Sequence, residues 1–221
     1  MIIYIILILC IIIIIIYYFY IEKFTNNNIY FMTKEETINF IINDNDNYIK
    51  NMSQYDLYAR KVLNTNDYIK LTINSCLNFT DEQKKIINNC NNNNFFKIAL
   101  INKNYEDGLP HTREDIIFIS PEVINNINLN KIIKHELIHI KQRYRTSKFL
   151  NNYIISRKRN TEPLIRANPD LDEYIYKDIT NNLELYYIYS SSKPNNINDI
   201  IKINNLQEHP YEIEAYEMEN K

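Results

Sequence analysis

His135 and His139 stand four residues apart in the string His135-Glu136-Leu137-Ile138-His139, and this pattern constrains the chain more than any other. Ile133, Leu137, Ile140 and Tyr144 recur around it at helical spacing, and Asn128 or Asn130 offers a capping side chain at its start. A single amphipathic helix is therefore expected, running through Arg145. On a helix, residues four apart lie one above the other, so both imidazoles leave the same face and can hold one ion. Zn2+ takes imidazole nitrogens at roughly 2.0–2.1 Å. Glu136 is next along the helix, beside that face. There it can accept a proton from a water at the metal and pass it to a leaving amine.

Such a site needs a third protein ligand and an open fourth position. Residues 140–149 contain no histidine, which excludes the H-E-x-x-H-x-x-G-x-x-H arrangement. The donors on offer lie near the C-terminus: Glu208, His209, Glu212 and Glu214. Pro210 fits the first position of a helix. In that helix Glu212 and Tyr216 share a face and Glu214 points elsewhere. Glu212 is the favoured ligand, with Glu214 and His209 left open. Gln142, one turn beyond His139, is placed to orient a ligand. His111, in an expected loop, and Tyr211 and Tyr216 are candidates to stabilise an oxyanion.

The remaining pattern is α+β. Thr33-Lys34-Glu35-Glu36 and Thr80-Asp81-Glu82-Gln83 read as capping boxes that open helices, and Ser53 to Leu63 reads as another helix. Phe95–Ile101 and Ile116–Ser120 read as strands, the second stopped by Pro121. Asn168-Pro169-Asp170 is a turn, and Leu183–Tyr189 a further strand. Strands that precede a helix without repeated β-α-β units argue for α+β. The expected organisation is a linker over 22–32, then one domain over 33–221. Its part from 33 to 94 is helical, and its catalytic core spans 95–221.

Residues 1–21 carry no charged side chain. A helix of that length spans about 30 Å, the thickness of a bilayer core. A basic start and a small-residue cleavage site are both missing, so a single-pass anchor is expected and not a cleaved signal. Net charge is −2, with a single glycine, no basic stripe and no phosphate loop, so nucleic acid is not an expected partner. Cys76 and Cys90 form a spaced pair that does not by itself indicate a disulfide.

HELIHIKQR (135–143), followed much later by HPYEIEAYE (209–217), resembles gluzincin-type zinc metallopeptidases. In particular it is similar to the putative zinc metallopeptidases of large DNA viruses and phages. The resemblance implies a zincin-like fold with a small mixed sheet, an active-site helix and a C-terminal glutamate helix. It also implies Zn2+ as cofactor, a peptide or protein substrate, and a host-cell or virion membrane as location. Carried over, the first glutamate of the last helix is Glu212, and Tyr216 stands where aspartate is usual. LPHTREDIIFIS (109–120) resembles the segment that supplies the substrate-binding edge strand, here Ile116, Ile117, Phe118, Ile119 and Ser120. Two rivals remain. One is a catalytically inactive scaffold protein with the same fold. The other is a zinc amidohydrolase in which Cys90 would be a ligand.

Overall fold

The computed structural model describes residues 29–90, 95–144, 151–158, 164–202 and 209–219. The expected anchor over 1–21 lies outside them. Among the described residues no helix is long and apolar enough to cross a membrane.

The architecture is α+β, built on one mixed sheet and two small ones. The main sheet is formed by β1 (Ile29–Phe31), β2 (Cys76–Leu77), β3 (Phe96–Ile101), β4 (His111–Arg113) and β5 (Ile116–Ile119). Strand β3 is central. Both β1 and β5 run parallel to it, β2 pairs antiparallel with its last residues, and β4 closes the far side antiparallel to β5. Alternation along the strands sends their side chains to two separate cores. Phe96, Ile98, Leu100, Ile117 and Ile119 meet Ile87, Ile124, Ile133 and Leu137. Ala99, Ile101, Ile116 and Phe118 meet Ile41, Leu57 and Tyr68 on the other face. Burial on both faces explains why these strands read as continuous apolar runs.

The first face is covered by α4 (Asp81–Asn88), α5 (Pro121–Ile124) and α6 (Leu129–Tyr144), and the second by α1 (Lys34–Asn43), α2 (Gln54–Ala59) and α3 (Thr65–Ser75). The capping boxes at Thr33 and Thr80 are formed, and Ser53 makes a third with Asp56. Helix α2 stops earlier than expected. Lys61 takes a left-handed φ of 60°, and the N–H groups of Lys61 and Val62 donate back to Tyr58 and Leu57. This is a helix-ending motif in which glycine is usual. Helix α3 was not anticipated; Asn64 caps it by accepting from the Asp67 N–H. The expected linker contains β1. Tyr144, expected on the apolar side of α6, is 68% exposed.

Beyond α6 come β6 (Tyr153–Lys158), β7 (Tyr174–Asp178) and β8 (Glu184–Leu185) in one sheet, and β9 (Tyr187–Tyr189) and β10 (Ile200–Lys202) in another. The single strand expected over 183–189 is thus divided between two sheets. Helix α7 (Pro210–Glu219) ends the described chain.

A buried ion pair ties the early helices to this later half. Arg60, just past α2, donates to Glu106 from Nε at 2.8 Å and from a terminal nitrogen at 2.6 Å. Both side chains are 2% exposed. Tyr68 and Tyr48 donate to the same carboxylate. Arg60 also reaches the Ala167 carbonyl, and Asp56 accepts from the Ala167 N–H and from Tyr189. Glu106 and Asp107 have positive φ, and Gly108 follows at φ 72°, where an added Cβ would meet the Lys103 Cα at 3.0 Å. The chain's one glycine is therefore spent on the turn that leads into β4. Replacing Glu106→Leu would leave the Arg60 guanidinium buried without its partner. Urea denaturation should show a loss of about 3–5 kcal/mol.

Candidate metal centre

Helices α6 and α7 pack against each other and bring three groups to one point. The Nε2 atoms of His135 and His139 are 3.0 Å apart. Glu212 Oε2 lies 3.4 Å from the first and 3.6 Å from the second. Four ligands placed tetrahedrally about 2.0–2.1 Å from a zinc ion sit about 3.3 Å from one another, so this triangle has the size of one face of such a site. It is the one group of three potential ligand residues found among the described residues.

The hydrogen bonds behind the ligands fix their protonation. Gln142 Nε2 donates to the Tyr211 carbonyl at 2.9 Å and to Glu214 at 3.0 Å. Those two acceptors orient the amide, so its Oε1 faces His139 Nδ1 at 2.9 Å. An amide oxygen only accepts, so Nδ1 carries a hydrogen, which leaves Nε2 as the atom that can take a proton or a metal ion. His135 Nδ1 faces Glu219 Oε2 at 2.9 Å, with the same consequence. Two imidazole Nε2 atoms and a carboxylate oxygen therefore converge, and a proton or a metal cation between them relieves the repulsion. The titration of the site follows the same electrostatics. Burial opposes a charge on His139, yet its bond to Glu212 and the charge of Asp170 push its pKa up to about 9. Burial also works against Glu212, but both imidazoles hold its carboxyl well below the usual range.

Glu136 is 4% exposed, and its Oε2 has no hydrogen-bond partner. Burial first, and then the charge of Asp170, push its pKa well up. Together with His135, Glu212 and Tyr216 it lines a cavity of about 530 Å³, walled on the far side by Tyr187, Ile197 and Ile200. The Tyr216 ring stands against His135, with centroids 4.9 Å apart.

Several expectations need correction. Strand β5 is interior, between β3 and β4, so Ile116, Ile117, Phe118 and Ile119 cannot be a substrate-binding edge. Ser120 lies past the strand, at the cap of α5. The edge strand is β4, earlier in the same resembling segment. His111 is in that strand and not in a loop; it is buried and stacked on Phe118. Tyr211 gives its hydroxyl to Asp172 at 3.0 Å and meets Tyr176 at 3.2 Å, away from the cavity lining. That geometry makes Tyr211 a packing residue and not an oxyanion donor. His209 accepts from the Tyr211 N–H at 3.2 Å and is buried, which pushes its pKa down to about 4. Glu214 is turned to Gln142. Of the three donors weighed for the third position, only Glu212 reaches the histidines. Glu208 lies outside the described residues. Cys76 and Cys90 are free thiols, and Cys90 packs against the core under α4, not beside the histidines.

Glu219, Asp170 and Arg143 are functional neighbours that the sequence analysis does not single out. Glu219 is seven residues beyond Glu212, on the same helical face, so periodicity could have found it. Arg143 is one turn past His139. Asp170 had no local signal. Comparison with protein-family models, curated proteins and solved structures finds no match.

The structure predicts one tightly held Zn2+ per chain, lost when Glu212→Ala removes the oxygen. The variants Glu219→Gln and Gln142→Leu should keep stoichiometric binding with about 10–100-fold weaker affinity, because each disturbs the partner of a ligand imidazole. Competition against a chromophoric chelator measures both effects.

Proposed function

We propose that the chain is a zinc-dependent peptidase of the H-E-x-x-H type, with His135, His139 and Glu212 holding the metal and Glu136 serving as general base. The observation that carries this reading is the convergence of two imidazole Nε2 atoms and the Glu212 carboxylate beside a cavity, in which one Glu136 oxygen has no hydrogen-bond partner among the described residues. When bound there, zinc would supply Lewis acidity, lowering the pKa of a water and polarising a scissile carbonyl.

The chain's own residues would do the rest. Gln142 and Glu219 keep the imidazole Nδ1 atoms protonated and the rings aimed. Glu136 takes a proton at its carboxylate from the attacking water and returns it to the departing amine nitrogen. Its burial suits this task, since burial makes a carboxylate more basic and so readier to take a proton. Arg143 donates to Thr112, Glu114 and Pro169, fixing the edge strand relative to α6. Residues 1–21 are read as a single-pass anchor on the strength of their uncharged length, which places the peptidase at a membrane.

Two measurements test this. Glu136→Gln should bind zinc as the wild type does, yet lose about 10²–10⁴-fold in peptide hydrolysis. Retained hydrolysis would exclude the assigned base. A chain lacking residues 1–21 should leave the membrane fraction on alkaline carbonate extraction, whereas the full chain should stay in it.

A further inference from the structure

The cleft reaches the first residue of β4 and stops before Thr112. Leu109, Pro110 and His111 line it. One residue further on, the strand's outward main-chain groups are already taken. Thr112 N–H donates to Asp170 Oδ1 at 2.5 Å, and its carbonyl accepts from Arg143 at 2.9 Å. The same guanidinium donates to the Glu114 carbonyl at 3.2 Å and to the Pro169 carbonyl at 2.6 Å. The Asn168-Pro169-Asp170 turn is thereby stitched across the strand. An extended polypeptide that adds to a sheet edge uses the edge's main-chain groups. Here the outward group left is the Pro110 carbonyl, because proline has no N–H and His111 faces Phe118 across the sheet, so a peptide end can be held there but cannot continue past Thr112.

Two acceptors belong to this closed end. Asp170 is 8% exposed and lines the cavity. Its Oδ1 is held by the Thr112 N–H and hydroxyl. His111 is 2% exposed and also lines the cavity. Its Nδ1 lies 2.9 Å from the Leu109 carbonyl. A carbonyl only accepts, so Nδ1–H is the donor and Nε2 is a lone pair, and that atom has no partner. In this tautomer His111 cannot donate to an oxyanion; it can only accept. The cavity's cations, Lys131 and Arg166, come from α6 and from the segment before the turn, and Lys131 is paired with Glu219 at 3.2 Å.

We propose that the closed end takes the free amino terminus of a peptide, its α-ammonium received by the Asp170 carboxylate and by His111 Nε2. This rests on the peptidase reading and narrows it to aminopeptidase action. An ammonium brings three donors and a positive charge to two buried acceptors. Antiparallel addition, the commoner strand pairing, puts the amino end of the substrate at Thr112. Hydrolysis there consumes one water. The first peptide C–N bond breaks, the water oxygen forms the new C–O bond, and the proton goes to the departing amine. The products are one free amino acid and a peptide shortened by one residue.

The test uses the full-length, zinc-saturated protein with a peptide bearing a free amino terminus and with its N-acetyl twin. Released amino acids are followed by mass spectrometry. Binding of both peptides to the Glu136→Gln protein is measured in parallel by calorimetry. The expected result is stepwise release from the free-amine peptide, with the acetylated twin at least about tenfold weaker in binding, as the loss of a charged hydrogen bond implies. Asp170→Asn, whose amide oxygen still accepts from Thr112, should narrow that gap. Cleavage of both peptides at the same internal bond at equal rates overturns the inference and leaves the peptidase reading standing. If neither is cleaved but the free-amine peptide binds preferentially, the ammonium site stands and the peptidase reading falls. Absence of cleavage with equal binding overturns both.

Discussion

Gln142 decides the character of the site. Its amide is oriented by two acceptors on α7, the Tyr211 carbonyl and the Glu214 carboxylate. That orientation fixes a hydrogen on His139 Nδ1 and turns Nε2 toward the ligand triangle. The same residue is also a mechanical link, since it joins the helix that carries two of the donors to the helix that carries the third. Tautomer and helix docking are thus set by one side chain. Glu219 repeats the arrangement on His135 from the last turn of α7. Without these two contacts the imidazoles would be free to protonate at Nε2 and bond to one another.

Much of this was legible in the chain. The histidine pair and Glu136 follow from the helical period alone, and Glu212 from the position of Pro210. The capping boxes at Thr33 and Thr80 mark helix starts because a threonine hydroxyl and a side-chain acceptor three residues on satisfy orphan N–H groups reciprocally. The failures have physical causes too. Helix α3 buries Tyr68, Thr72 and Ser75, so no apolar stripe betrays it. The expectation of an edge strand at Ile116–Ser120 rests on the resemblance of residues 109–120 to a substrate-binding segment, with the apolar run taken as its strand. In fact apolar residues on both faces mark an interior strand, and the true edge is the short polar run His111-Thr112-Arg113. The described parts of the stretch from 151 to 202 form small sheets whose strands alternate weakly, and their pairing is decided by contacts distant in sequence.

Those distant contacts centre on Arg60 and Glu106. A charge pair so thoroughly removed from water is weak evidence for stability as such. Its partners show what it positions. The Ala167 carbonyl and N–H, bound by Arg60 and Asp56, fix the segment that leads to the Asn168-Pro169-Asp170 turn, and Tyr189 fixes a wall of the cavity. The geometry of the cleft is therefore specified from an N-terminal helix that contributes no residue to its lining.

Helix α7 has few apolar anchors, with Pro210, Tyr211 and Ala215 its buried residues. What keeps it beside α6 is mostly polar and points at the ligand triangle. A bound cation would act as a clasp between two helices that are far apart in sequence, with β6 to β10 between them. It would restrict the wandering of the C-terminal segment, which otherwise costs loop entropy to bring home. Ion affinity and tertiary closure would then be one quantity, so withdrawing the metal would unfasten the last helix as well as silence the chemistry.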